Sequence, residues 1–142
     1  MLSVMDARRD LELLLDHAVE LALDMLRTCG AFLPYGAGLR DDGTIESLGS
    51  GDADRSLIER VRSRVQQRMA RGEFRAIAVI YDADIDVEDG SNTEAVAVEL
   101  EHVEAPPVMA FLTYERSGGD IVFGRAFTEG GPLPLSGPTS SS

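Results

Sequence analysis

Arginines are concentrated in one short segment of this chain, and clustered guanidinium groups are a common means of binding phosphate or carboxylate groups. Seven of the 13 arginines lie within residues 55–75, and the 142-residue chain contains no lysine. Seven arginines against two glutamates give this segment a net charge of +5, which leaves −17 for the rest of a chain whose formal net charge is −12. A charge concentrated in this way must be neutralised within the protein or by a bound partner.

Four of these arginines share one flank of a predicted helix. At 100° per residue they lie side by side next to an apolar stripe, as Arg60, Arg64, Arg68 and Arg71. One interpretation is that they bind a phosphate, a carboxylate ligand or an acidic partner. The other is that they pair with carboxylates of the same chain. The first predicted helix offers an acidic ribbon with a carboxylate at every fourth position: Glu12, Asp16, Glu20 and Asp24.

A second group of charged residues, all of them acidic, lies on two neighbouring predicted strands. Alternation places three aspartates on the outer face of one strand, and two glutamates of the next strand are expected to join them there. These five residues are Asp82, Asp84, Asp86, Glu99 and Glu101. Such a face is either hydrated, covered by arginines or a cation site, and a solvated edge strand is the simplest interpretation. The spacing from Asp84 does not fit a calcium-binding loop, because the turn glycine comes one residue late and Ala95 occupies the last ligand position. We therefore predict no metal site.

Histidine and cysteine are too scarce to indicate a catalytic or metal centre. The chain has His17, His102 and Cys29, which are far apart in sequence. His102 stands near Glu101 and Glu104 and suits either an acid–base pair with a nearby carboxylate or, more simply, a position at the surface or in a turn. Cys29 ends a predicted helix, where the helix dipole disfavours a thiolate, so we expect a small buried residue and not a nucleophile. The chain has no phosphate-binding loop, dinucleotide motif or nucleophile elbow, so we predict no catalytic residue and no cofactor.

Composition points to a single domain in the cytoplasm. The excess of 25 acidic residues over 13 arginines argues against general binding to nucleic acid. One cysteine cannot form an internal disulfide, which is typical of a reducing compartment. No apolar run approaches the length of a membrane span, and residues 1–10 mix acidic and basic side chains unlike a signal peptide, so we expect no membrane association.

Periodicity along the chain predicts two helices, over residues 6–29 and 54–71, each followed by a glycine. A hairpin is predicted around an Asp-Gly step, and later runs joined by short turns favour an antiparallel meander. The predicted strands cover residues 31–40, 44–48, 74–87, 94–103, 107–115 and 121–127. Gly36 and Gly38 indicate a bulge or a close approach in the first strand. Residues 1–129 are expected to form one domain, followed by a flexible tail rich in Gly, Pro and Ser over residues 130–142.

The predicted fold class is α+β, with an antiparallel sheet of five to six strands and two helices in the order α-β-β-α-β-β-β-β. Profilin-like, roadblock-like and PAS-type folds share this plan, which carries no function by itself. The segment 31–37 (AFLPYGA), with Asp42-Gly43 after it and ELEH at 99–102, resembles a group of small uncharacterised bacterial proteins. That resemblance implies no known activity and no catalytic residue.

One predicted strand, over residues 107–114, is apolar on both faces. One face carries Val108, Ala110 and Leu112, and the other carries Met109 and Phe111. Helices, the curvature of the sheet or a second subunit must cover both faces. Together with the missing catalytic motifs, this favours a non-enzymatic protein-interaction domain that acts as a homodimer. Two alternatives remain open: a sensor of a small anionic ligand that uses the arginine flank, and an acidic protein that neutralises a basic partner.

Overall fold

A computed structural model describes residues 4–30, 34–48, 57–86, 92–118 and 120–129 of the chain. Two helices and six strands follow one another in the predicted order α-β-β-α-β-β-β-β, which confirms the α+β class. The elements are α1 Val4–Cys29, β1 Tyr35–Leu39, β2 Ile45–Leu48, α2 Leu57–Ala70, β3 Ala76–Asp86, β4 Asn92–His102, β5 Ala105–Ser117 and β6 Asp120–Glu129. The predicted tail, residues 130–142, lies outside the described residues.

The six strands form one antiparallel sheet in the spatial order β2-β1-β3-β4-β5-β6. β1 pairs antiparallel with both β2 and β3. β2 and β3 therefore run parallel to each other, and α2 is the crossover connection between them. The strands from β3 to β6 are consecutive antiparallel neighbours, as the predicted meander requires.

The two helices pack on opposite faces of this sheet, so the protein has two apolar cores. α1 covers the larger core with side chains such as Leu11, Leu14 and Ala18, which meet buried residues of β1, β3, β4 and β5. α2 covers the smaller core, in which Val61 and Val65 pack on residues of β3. Burial of apolar area on both faces is the main contribution that holds the three layers together.

Two glycines in β1 allow a close approach to the sheet, Gly36 by α2 and Gly38 by the ring of Phe74, which follows α2. A Cβ atom on Gly36 would stand 2.8 Å from Cγ1 of Val65, and a Cβ atom on Gly38 would stand 2.4 Å from the ring of Phe74. The pairing of β1 with both neighbouring strands is regular. Of the two sequence-based interpretations, the structure therefore has the close approach and not the bulge.

The prediction that the five acidic residues share one outer face of the sheet is wrong. Glu99 lies opposite Val79, on the face that α2 covers, and Glu101 is on that same face. Asp82 lies opposite Val96, on the α1 face. The reason is that the first half of β3 is apolar on both faces, because one helix packs on each of them.

Candidate functional site

The predicted arginine flank of α2 lies beside the edge strand β2, and its central member is bound within the protein. The guanidinium of Arg68 donates two hydrogen bonds to Glu46, one of them at 3.1 Å from Nη2, and a third from Nε to Glu73 at 2.8 Å. Its Cζ atom also lies 4.5 Å from the centroid of the Phe74 ring. Arg40 donates to the same Glu46 carboxylate. Arg68 is thus neutralised internally, as the second sequence-based interpretation requires.

The pairing shifts the pKa values of both Glu46 and Arg68. Hydrogen bonds from Arg68 and then from Arg40 lower the pKa of Glu46 to about 2. Hydrogen bonds to Glu46 and then to Glu73 raise the pKa of Arg68 further above its already high usual value. Glu46 and Arg68 therefore both stay charged throughout the physiological pH range.

The other three predicted site residues, Arg60, Arg64 and Arg71, are exposed. Within the part of the chain that the structure describes, neither Arg64 nor Arg71 makes an ion pair. The four predicted residues are thus divided: Arg68 is held inside a network, whereas Arg64 and Arg71 present their charge to solvent on either side of it.

A second arginine contact of α2 is on its other flank, where Arg62 meets a carboxylate of β4. Nε and Nη2 of Arg62 donate to the two oxygens of Glu99 at 2.7 and 2.5 Å, and the Tyr81 hydroxyl donates to Oε2 of Glu99 at 2.9 Å. Burial pushes the pKa of Glu99 upward, but the bonds from Arg62 and Tyr81 outweigh it and leave that pKa lowered. Burial and then the bond to Glu99 raise the pKa of Tyr81 to about 12. The acidic face was expected to be hydrated, covered by arginines or a cation site, and for Glu99 coverage by an arginine is correct.

The acidic ribbon of α1 does not neutralise the arginines of α2, because the two helices lie on opposite faces of the sheet. Glu12 pairs with Arg8 of the same helix, at 3.2 Å. Asp16, Glu20 and Asp24 are exposed, and none of them forms an ion pair with a described residue. The ribbon therefore remains a negatively charged surface.

Asp82 contacts a tyrosine of β5 on the α1 side of the sheet. The Tyr114 hydroxyl donates to Oδ1 of Asp82 at 2.7 Å. Burial and the charges of Glu94 and Asp84 raise the pKa of Asp82 against the lowering effect of this hydrogen bond. Burial and then the bond to Asp82 raise the pKa of Tyr114. Arg116 pairs with Glu94 at 3.1 Å and so balances part of this negative charge.

The described residues contain no group of three or more His, Cys, Asp or Glu side chains that suits a metal ion. Glu88 and Asp89, two further acidic residues shortly after Asp86 in the sequence, lie outside the residues that the structure describes. Of the helices in this part of the chain, none has the length and apolar character needed to cross a membrane.

A buried polar network joins Asp10 of α1, Arg75 just before β3 and His102 at the end of β4. Nε and Nη2 of Arg75 each donate at 3.0 Å to one oxygen of Asp10, and His102 Nε2 lies 2.8 Å from Oδ2 of Asp10. Nη1 of Arg75 donates to the Asp41 carbonyl at 2.7 Å. The expectation of a surface or turn position for His102 is wrong, because its side chain has no solvent exposure. Its carboxylate partner is also distant in sequence, and not one of the neighbouring glutamates.

Sequence reasoning missed Asp10 and Arg75 as partners. One signal was present, since Asp10 directly precedes the inward-facing Leu11 and so borders the apolar stripe of α1. A charged residue at such a position needs a buried partner. His17, by contrast, contacts Ser47 of β2 at 3.1 Å on the surface. The expectation that Cys29 is buried is wrong, because Cys29 is exposed at the end of α1.

Comparison of the chain with protein-family models, with curated proteins and with solved structures gave no match. The resemblance of residues 31–37 and 99–102 to small bacterial proteins therefore stays a prediction.

Proposed function

We propose that this protein is a non-enzymatic protein-interaction domain whose partner is a second copy of the same chain. The proposal rests on one observation: β5 carries apolar side chains on both faces, and α1 and α2 do not cover them equally. Val108, Ala110 and Tyr114 face α1 and are buried. Met109 and Phe111 face the other side and are only half-buried.

The half-buried side chains lie next to α2 and not beneath it, because α2 packs on β1 and β3. Beside them on this face stands Tyr81 of β3, which is also half-buried, whereas Ala97 of β4, opposite Phe111, is fully buried. The face thus offers an apolar area bordered by the Arg62–Glu99 pair. An apolar centre with a polar border is the usual arrangement of a protein interface.

Size-exclusion chromatography with light scattering at micromolar concentration tests the proposal, with a dimer as the expected result. Met109→Glu should raise the dimer dissociation constant at least tenfold, because a carboxylate would have to lose its water inside an apolar contact. Val103→Glu is the matched control, since Val103 is 55% exposed on the turn between β4 and β5 and lies away from the proposed contact. A wild-type protein that stays monomeric would remove the proposal.

A second candidate function is the sensing of a small anionic ligand, which the exposed charges of Arg64 and Arg71 favour. The thermal midpoint of the wild type should rise with inorganic phosphate or pyrophosphate, and the doubly substituted variant Arg64→Ala, Arg71→Ala should lose that rise. Arg9→Ala, which removes an exposed arginine of α1, is the control. A midpoint that is insensitive to these anions in all three proteins argues against the sensor.

A third candidate is the neutralisation of a basic partner, which is favoured by the exposed ribbon residues Asp16, Glu20 and Asp24. Such a complex is steered by charge, so it should weaken as salt is raised. Affinity capture at low and at high salt, with the wild type and with a variant in which all three are amides, tests it. Equal capture by both proteins at both salt concentrations contradicts the candidate.

A further inference from the structure

An apolar cavity of about 130 Å³ lies between α1 and the part of the sheet formed by β4, β5 and β6. Its walls include Leu15 and Val19 of α1, Val98 of β4, Leu112 of β5 and Ala126 of β6. The cavity exists because α1 packs mainly on β3 and β4 and contacts β5 and β6 less extensively.

The walls of the cavity offer few hydrogen-bonding partners to a water molecule. A buried water normally needs two to four polar partners, whereas the lining side chains here are apolar with one exception. A space of this kind is filled favourably by an apolar group. Apolar cavities of ~150 Å³ are large enough to take up benzene, so the volume suits one six-membered ring or a short branched chain.

The exception is Asp16, the one charged residue among the described residues that line the cavity. It is exposed and forms no ion pair with a described residue. Glu20 lies one turn further along the helix and also forms no ion pair with a described residue, whereas Glu12, one turn before Asp16, is paired with Arg8. The potential at the cavity mouth is therefore negative, in a chain whose net charge is already −12.

We propose that this cavity binds a small organic cation, whose compact apolar group fills the cavity and whose ammonium group lies beside Asp16. Burial of the apolar group supplies most of the affinity, and the carboxylate selects for positive charge. The cavity lies against α1, on the face of the sheet opposite Met109, and Phe111 is the one residue of the proposed dimer contact that also lines it. The experiments below follow and change other residues than Phe111, so either proposal can fail without the other.

Three ligands with the same aromatic ring and different charge test the proposal: 2-phenylethylammonium, 2-phenylethanol and phenylacetate. Binding is followed by nuclear magnetic resonance through the methyl groups of Leu15 and Val19. We expect 2-phenylethylammonium to bind up to about fivefold more tightly than 2-phenylethanol, which corresponds to an exposed ion pair of at most about 1 kcal/mol. Phenylacetate should bind most weakly.

Two substitutions separate the roles of charge and volume. Asp16→Asn, an exposed change that leaves the core intact, should remove the preference for the ammonium ligand and leave the affinity for 2-phenylethanol unchanged. Asp24→Asn is the matched control, because Asp24 belongs to the same acidic ribbon but does not line the cavity, and it should keep the full preference. Ala126→Leu should fill the cavity and abolish the binding of all three ligands.

Several results would overturn the proposal. One is the absence of any change at Leu15 and Val19 with all three ligands, and another is equal affinity for the ammonium and the carboxylate ligand. A third is an Asp24→Asn variant that loses the preference as fully as Asp16→Asn does, since this would assign the effect to overall charge and not to the cavity mouth.

Discussion

Asp10 and His102 are separated by 92 residues in the chain and are joined by a hydrogen bond of 2.8 Å in the interior. The backbone amide of Glu104 donates to Nδ1 of His102 at 2.9 Å, so this nitrogen carries no proton. Nε2 must then carry it and donate to Asp10. The result is a neutral imidazole beside an Asp10–Arg75 ion pair, with each side chain held by the others.

Removal of the central carboxylate should destabilise the fold. Asp10→Ala leaves Arg75 without its counter-charge and His102 without an acceptor, and loss of one partner of a buried ion pair costs about 3–5 kcal/mol. Urea denaturation followed by circular dichroism measures this loss. Asp16→Ala, an exposed change on the same helix, should alter the free energy of unfolding by no more than about 0.5 kcal/mol. Equal effects of the two variants would contradict a structural role for the network.

The tautomer of His102 is a separate prediction. A long-range ¹H–¹⁵N spectrum of the native protein at neutral pH should show His102 as the form protonated at Nε2 alone. His17, whose ring contacts a serine on the surface, serves as the comparison in the same spectrum. Protonation of His102 at Nδ1 would mean that the bond from Glu104 is absent in solution.

Acid should weaken the cluster around Glu46. The pKa of Glu46 is about 2 in the folded protein against an ordinary 4.5, so the unfolded chain takes up this proton first as the pH falls. The stabilisation is therefore complete above pH 4.5 and disappears as the pH falls toward 2. Glu46→Gln should be less stable than the wild type at neutral pH, and the difference should vanish in acid. Glu20→Gln, whose exposed carboxylate has no described ion pair, should show no such trend.

All three tyrosines should resist ionisation in the folded protein. Burial is the main cause in each: it raises the pKa of Tyr81 to about 12 and raises the pKa values of Tyr35 and Tyr114 as well. Absorbance near 295 nm should therefore stay low in the native protein as the pH passes 10 and should rise only on approach to the Tyr81 pKa of about 12. In guanidinium it should rise near pH 10. Stability that is complete below pH 10 is lost as the pH rises through the folded-state pKa values. A tyrosinate signal from folded protein near pH 10 would contradict the burial.

The close approach at β1 makes Gly38 intolerant of a side chain. A Cβ atom there would stand 2.4 Å from a ring carbon of Phe74, whose side chain is buried. Gly38→Ala should lower the free energy of unfolding by about 1–3 kcal/mol, as overpacking in a core usually does. Phe74→Leu removes the ring, so adding Gly38→Ala to that variant should cost less than adding it to the wild type. Additive costs in the urea experiment would show that the ring is not the obstacle.

The elements could be predicted from the sequence because each has a clear period or a turn at its end. The regular apolar spacing of α1 and the Asp-Gly step before β2 both correspond to what the structure has. The faces of β3 could not be predicted in the same way. Its first half is apolar at every position from Ala76 to Tyr81. A strand that is buried on both sides shows no alternation of apolar and polar residues, so the sequence does not tell which side chains face which helix.

The candidate site was predictable only in part, for a reason of topology. Helical spacing identified the flank that holds Arg64, Arg68 and Arg71, but spacing within one helix does not reveal which face of the sheet that helix covers. Glu46 and Glu99 belong to different strands and pair with different flanks of α2. Such pairing depends on strand order, and the order β2-β1-β3 requires a crossover that local patterns do not encode.

The order of the strands also bears on how the chain folds. From β3 to β6 every strand pairs with its immediate successor, so these contacts close short loops at little entropic cost. The bond from Asp10 to His102 closes a loop of more than 90 residues. We therefore expect the four-stranded meander to form early as a template, with docking of the N-terminal helix as the late, slow step that completes the native state.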